Sequence, residues 1–366
     1  MTDHLLPGIT ATRLPTDRLT QNVLHLEGVD PRGPGEAVLF VHGNVSCALF
    51  WQQPMLALGS TGRHRVLAVD LRGYGDTDPL PVDATRGVRD WADDLDALVT
   101  ALGLDRVHLV GWSMGAGVVL QHLVDRPERV ASVALVAPVS PFGFGGTAGA
   151  DGARVHPDGT GSGAGAANPD FVAALAAGDT GDASPTSPRN VLRSFYVAPG
   201  SLPIDPDLED VFVAAMNSTR TGEDHYPGEA VVVEAWPGVA PGERGVLNTM
   251  APTVFDASGI VDLAPKPPIL WIRGRPTRSS RTPRCSTSPT SARSAPSRGG
   301  RGPRPSRPSR WSPRRARCST GTPRPAAPTG RSCCPASATH RTSSARRSSS
   351  WRCSSTSTSP RRRRPT

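Results

Sequence analysis

The sequence predicts an α/β fold on a parallel sheet, interrupted by a mainly helical insertion, and three observations carry that prediction. Short apolar runs ending in glycine, AVLFVHG (37–43) and HRVLAVDLRG (64–73), have the look of strands buried on both faces. Between 86 and 104, Val88, Trp91, Leu95, Leu98, Val99 and Leu102 recur at spacings of three and four, which predicts an amphipathic helix stopped by Gly103. A strand (RVHLVGW), a small-residue helix (MGAGVVLQHLVDRP) and another strand (VASVALVAPV) then follow in a rhythm that makes the strands parallel with right-handed crossovers.

After residue 140 the pattern changes. Residues 142–168 are rich in glycine and predict a mobile loop. Residues 169–262 contain helical patches such as PDFVAALAAG and PDLEDVFVAAMNST without clear strands, which predicts a helical cap. KPPILWIRG (266–274) resumes the sheet. Everything beyond it is Arg, Ser, Pro and Thr without a helical or strand period, so 275–366 reads as a disordered tail. The expected organisation is a core over 1–140, a loop and cap over 141–265, a returning strand over 266–274, and the tail.

Charge divides the chain at the same place. Residues 1–274 hold 32 acidic and 18 basic residues, a net of −14, whereas 275–366 hold 23 arginines and no lysine, aspartate or glutamate; together they give the overall +9. Cysteine divides likewise, with Cys47 alone in the body and Cys285, Cys318, Cys333, Cys334 and Cys353 in the tail. One body cysteine makes no disulfide framework, and the tail cysteines lack zinc-like spacing, so no metal site and no cofactor is expected. The start, MTDHLLPGITATRLP, lacks a basic segment followed by an apolar run, and no stretch approaches the ~20 apolar residues of a membrane span. These features predict a cytoplasmic protein with no membrane partner; oligomeric state is not legible.

Gly111-Trp112-Ser113-Met114-Gly115 fits G-x-S-x-G between a strand and a helix. A turn this tight pushes the serine out at the sheet edge, the glycines let backbone approach, and the helix N-terminus faces developing negative charge. Upstream, the strand AVLFV ends in His42-Gly43-Asn44, and DLRGYGDTD (70–78) follows the next strand. In this order the chain resembles an α/β-hydrolase over about residues 25–140, and again at 266–274, with the insertion where that family has its cap. The resemblance implies Ser113 as nucleophile and the backbone N–H groups of Met114 and Asn44 as the oxyanion hole. It implies a structural turn role for His42, loop-stabilising roles for Asp70, Asp76 and Asp78, and a sheet-and-cap fold whose last strand and helices are lost to the tail. A serine elbow favours ester, thioester, lactone or carbon-carbon bond hydrolysis, or perhydrolysis, over the aspartate-elbow epoxide hydrolases and dehalogenases. Phe171, Phe195, Tyr196 and Trp236 are candidates to line an apolar pocket or to pack the cap.

The family order places an acid just after the returning strand and a histidine near the end, yet the chain has no acid beyond Asp262. Arginine without lysine, beside proline, serine and threonine, is what a GC-rich gene yields out of frame. Joining the last base of each codon to the first two of the next permits Ala-Asp after Gly274, with the acid at Pro276/Thr277. Near the end it permits Leu-Pro-Gly-x-Gly-His, with the histidine at Ala338/Thr339. His340 lies beside that codon but has no acid to orient it and is not read as a base. The expected function is a serine hydrolase acting on a small, largely apolar carbonyl substrate through an acyl-enzyme, impaired in this chain. The alternative is a catalytically dead hydrolase-like body whose arginine-rich arm binds nucleic acid, by charge and without specificity.

Overall fold

The computed structural model describes residues 2–198, 201 and 203–274; the tail predicted over 275–366 lies outside them. Seven strands form one sheet: β1 (Ile9–Pro15), β2 (Thr20–Leu26), β3 (Ala37–Val41), β4 (Arg65–Val69), β5 (Val107–Trp112), β6 (Val130–Val136) and β7 (Ile269–Ile272). Their spatial order is β1-β2-β4-β3-β5-β6-β7. The pairs β1·β2 and β2·β4 are antiparallel, and every pairing from β4 to β7 is parallel.

Period-two alternation explains why β3 reads as a continuous apolar run. Leu39 and Val41 enter a core with Trp91, Leu95 and Leu98 of α2 (Arg89–Ala101) and Val118 and Val119 of α3 (Met114–Asp125). Val38 and Phe40 enter a second core with Met55 of α1 (Gln52–Gly59) and Leu49 of the preceding 3-10 turn. A parallel strand buried on both faces needs no polar positions.

Among the described residues, the cover on the α1 side stops midway across the sheet. Buried Val107, Leu109 and Gly111 of β5 alternate with half-buried His108, Val110 and Trp112. At the edge all four β7 residues are 45–61% exposed, Trp271 the most. Among the described residues β7 pairs only with β6, and an apolar edge strand of this kind is a template for further pairing. This face lies in the part of the sheet nearest the chain's change of composition.

The insertion is helical, with differences from the sequence reading. Its helices are α4 (Pro169–Ala176), capped by the Asn168 side chain, α5 (Pro188–Val191), running into a π turn at Leu192–Tyr196, and α6 (Pro206–Asn217), capped by Asp205. Arg189 and Arg193 clamp Glu209 of α6 at 2.6–2.9 Å. Two short strand pairs, Thr221–Gly222 with Tyr226–Pro227 and Ala230–Val232 with Val239–Pro241, were not expected, because two or three residues are too short to show a period. The stretch 142–168, expected as a mobile loop, is largely exposed over 144–158 and packed over 159–164. Thr160, Ser162 and Ala164 are buried, the Ser162 hydroxyl donates to the Phe144 carbonyl at 2.5 Å, and the Ala164 N–H donates to Asn248 Oδ1 at 2.9 Å. Here the glycines permit close backbone approach. No helix among the described residues is long and apolar enough to cross a membrane.

Candidate active site

Ser113 stands alone between β5 and α3 with φ +53° and ψ −117°. A non-glycine residue there costs roughly 1–3 kcal/mol, and the surrounding structure holds it. Its N–H donates to the Val136 carbonyl and its own carbonyl accepts from Ala116 and Val139, each at 3.1 Å. The flanking glycines are sterically required. A Cβ on Gly111 would lie 2.6 Å from Ala116 Cα, and one on Gly115 would overlap the His42 carbonyl oxygen. Gly43 completes the junction, since a Cβ there would sit 3.1 Å from Ser113 Cβ and 3.2 Å from the Trp112 ring. The two sequence motifs, some seventy residues apart, thus meet at the C-terminal edge of the sheet.

Asn44 and Met114 flank this junction. Neither backbone N–H has an acceptor among the described residues. For Met114 that follows from its place in the first turn of α3, where no intrahelical partner exists. Asn44 is held from both sides: its Oδ1 accepts from the Tyr74 hydroxyl at 2.8 Å, and its carbonyl accepts from the Tyr196 hydroxyl at 3.2 Å. Burial pushes both phenol groups up, so both remain protonated donors. The following residue, Val45, also takes a positive φ of 48°, and its carbonyl accepts from Tyr196 at 3.0 Å.

His42 is fully buried and cannot reach out to act on a substrate. Its Nε2 accepts from the Leu71 N–H at 3.0 Å and its Nδ1 lies 2.7 Å from the Gly43 carbonyl, which fixes a neutral ring protonated at Nδ1. Desolvation lowers its pKa to about 4. The unfolded chain therefore takes up this proton first as pH falls. The stabilisation is whole above about pH 6.5 and is lost through the window down to 4, amounting to about 3 kcal/mol. Urea midpoints measured between pH 7 and 4 should fall, with a shallower slope in His42→Gln. His122, also lowered by burial, adds a slope of the same sign, while buried Asp70, whose pKa is raised by desolvation, opposes it.

The loop after β4 is built on that aspartate. Asp70 accepts from Ala48 N at 2.7 Å, Asn22 Nδ2 at 2.8 Å and Asp76 N at 3.0 Å. Asp78 accepts from Thr20 N at 2.9 Å and pairs with Arg13. Both carboxylates serve the loop and the first hairpin.

Of the four aromatic residues singled out in the sequence, only Tyr196 lies at the elbow. Phe171 is buried in the cap against Tyr226, whereas Phe195 and Trp236 are 70% and 85% exposed. The aromatic group at the elbow consists of Trp112, Phe50, Tyr196 and Phe212, with Phe50 stacked on Phe212 at 4.3 Å and 5.4 Å from Trp112. Trp112 was visible as a motif letter, but nothing local marks Phe50 or Phe212. Among the described residues no histidine bonds the Ser113 hydroxyl. The positions expected for the acid and the base, Pro276/Thr277 and Ala338/Thr339, lie outside the described residues, as does His340.

Residues 36–170 match the family model of the alpha/beta hydrolase fold. This part of the chain has the alpha/beta hydrolase fold. A protein described as a carbamate hydrolase, from Variovorax paradoxus (strain S110), is 43% identical over 113 residues, 31% of this chain and 41% of its own length. Epoxide hydrolase 2 of Siraitia grosvenorii is 40% identical over 101 residues, 28% of this chain and 32% of its own. The structure of epoxide hydrolase VrEH1 from Vigna radiata aligns with 36% of this chain and 41% of its own at 28% identity, with a TM-score of 0.32. The chain thus spans about two fifths or less of the length of each of these relatives.

Proposed function

We propose that this chain is a serine hydrolase of small, largely apolar esters, thioesters, lactones or activated ketones, represented here without its proton shuttle. The observation that carries the reading is Ser113 at the strained tip between β5 and α3, with Gly43 packed against its Cβ. In the reaction, Ser113 Oγ attacks the substrate carbonyl and gives its proton to a histidine. The N–H groups of Met114 and Asn44 take the charge that develops on the oxygen. The histidine then returns the proton to the departing alcohol, thiol or carbanion, and water releases the acyl group by the same route. One oxyanion donor of this kind is worth about 3 kcal/mol in the transition state.

Tyr74 and Tyr196 support Asn44 as the second donor, because they immobilise its side chain and its carbonyl. The aromatic group of Phe50, Trp112, Tyr196 and Phe212 supports an apolar substrate. The serine elbow favours these reactions over the epoxide and haloalkane hydrolysis of an aspartate elbow. The absence of any acid after Asp262 and the open β7 edge support a coding frame displaced near Arg275, with the acid and histidine encoded at Pro276/Thr277 and Ala338/Thr339 in the other frame. A small-molecule substrate in a reducing, cytoplasmic compartment fits a body whose one cysteine, Cys47, is buried and free. A fluorophosphonate probe should label the chain re-expressed in the alternative frame after codon 274, and Ser113→Ala should abolish the label. Labelling that persists in Ser113→Ala would place the nucleophile elsewhere.

A further inference from the structure

At the opposite edge of the sheet from Ser113, three strands begin together. Glu36 immediately precedes β3, His64 immediately precedes β4, and His108 is the second residue of β5. β3 lies between the other two, and the parallel registers Ala37↔Arg65 and Val38↔His108 bring all three residues to one face. His64 Nε2 lies 3.8 Å and His108 Nε2 3.7 Å from the same Glu36 oxygen, Oε2. The two imidazole rings meet edge to face at 5.6 Å.

Two features set this group apart from a chance surface cluster. His108 Nε2 and His64 Nδ1 are buried yet have no hydrogen-bond partner among the described residues. Such nitrogens are normally paired, so each asks for an explanation. His108 Nδ1 meets Ser132 Oγ at 2.7 Å, on the neighbouring strand β6. With Nδ1–H donating to that hydroxyl, the lone pair of Nε2 points free toward the carboxylate, the arrangement that an outer partner imposes on a metal-binding histidine. His64 and His108 line a groove of about 350 Å³ together with Leu58, Ala134 and Leu270.

We propose that Glu36, His64 and His108 form a binding site for a divalent transition-metal ion, zinc by the chemistry of its donors, that ties β4, β3 and β5 together at their N-terminal ends. Two imidazoles and one carboxylate are a zinc donor set and leave a fourth position for water. Bonds of about 2.0–2.2 Å require donors about 3.3 Å apart. The present donor atoms lie within 4.8 Å of one another. Glu36, its side chain 75% exposed, is free to close the remaining distance. No short sequence motif could mark this site, because 72 residues separate its outer members.

The test uses the 366-residue chain with its thiols alkylated, so that the five cysteines beyond residue 274 cannot bind the metal. Zinc chloride titrated against a chromophoric chelator should show one bound equivalent, with a rise in Tm. Cobalt(II) should give a ligand-field spectrum without a thiolate charge-transfer band. Glu36→Gln and His108→Ala should each weaken binding at least tenfold, and Ser132→Ala about tenfold. Glu36→Gln alters only an exposed side chain and so keeps the test independent of folding. No binding by the alkylated chain, or an affinity unchanged in Glu36→Gln, would overturn the proposal.

Discussion

Re-expressing the chain in the alternative frame after codon 274 is expected to raise kcat on an activated small ester by about 10⁶-fold over the 366-residue chain, because loss of the base alone from a serine triad costs about as much as loss of the whole triad. In the proposed mechanism Ser113 and the N–H groups of Met114 and Asn44 are the same in both proteins, so the gain belongs to the proton shuttle. His42 cannot substitute as that base, since both of its nitrogens are engaged inside the core and its pKa of about 4 keeps the ring neutral. Restoration should also close the open side of the sheet, where β7 leaves Leu270 and Trp271 exposed, and the restored protein should therefore remain monomeric to higher concentration. Steady-state hydrolysis of a p-nitrophenyl ester by the two proteins measures the first effect. Ordinary turnover by the 366-residue chain would show that the shuttle is not missing.

Gly115→Ala should destabilise the fold by about 3 kcal/mol or more, at the upper end of what overpacking costs. The added methyl would overlap the His42 carbonyl oxygen and lie 2.6 Å from that of Val41. Both are backbone atoms at the end of a central strand and cannot rotate aside. Alanine gains about 1 kcal/mol over glycine in helix propensity, which the overlap outweighs. Any relief must push the His42-Gly43-Asn44 turn away from Ser113, so activity in the restored protein should fall even where the variant still folds. Gly259→Ala, where nothing lies within 4 Å of the added atom, should change stability by less than about 0.5 kcal/mol. Urea denaturation of the three proteins decides the matter; equal midpoints for Gly115→Ala and the unaltered chain would mean that strand and helix are not in the contact described.

The readable parts of this chain were those whose signal is local. Five consecutive residues encode the elbow, and its steric logic, glycine at 111 and 115 with a strained serine between, is present in the letters. The role of His42 as a turn residue was legible by resemblance, but its reason, the Leu71 N–H held at Nε2, needed β3 and β4 side by side. β1 and β2 were not read as strands because Thr10, Thr12, Gln21 and Asn22 interrupt their apolar pattern. Buried Gln21 and Asn22 are satisfied by Asp94 O and Asp70 Oδ2, partners 73 and 48 residues away. Phe50 and Phe212 meet at the elbow from segments about 160 residues apart, and Glu36, His64 and His108 from the starts of three strands. Long-range juxtaposition leaves no mark in a window of neighbouring residues. In the glycine-rich stretch, glycine signals freedom in composition, and at 145 and 163 it also permits backbone to pack on backbone.

The central claim is that Ser113 forms the acyl-enzyme. It is tested most directly by mixing the frame-restored protein with a p-nitrophenyl ester, quenching in acid within the first turnover, and mapping the acyl group by peptide mass spectrometry. One acyl group is expected on the peptide containing Ser113 and none in Ser113→Ala. An acyl group on any other residue, or turnover that survives Ser113→Ala undiminished, would contradict it.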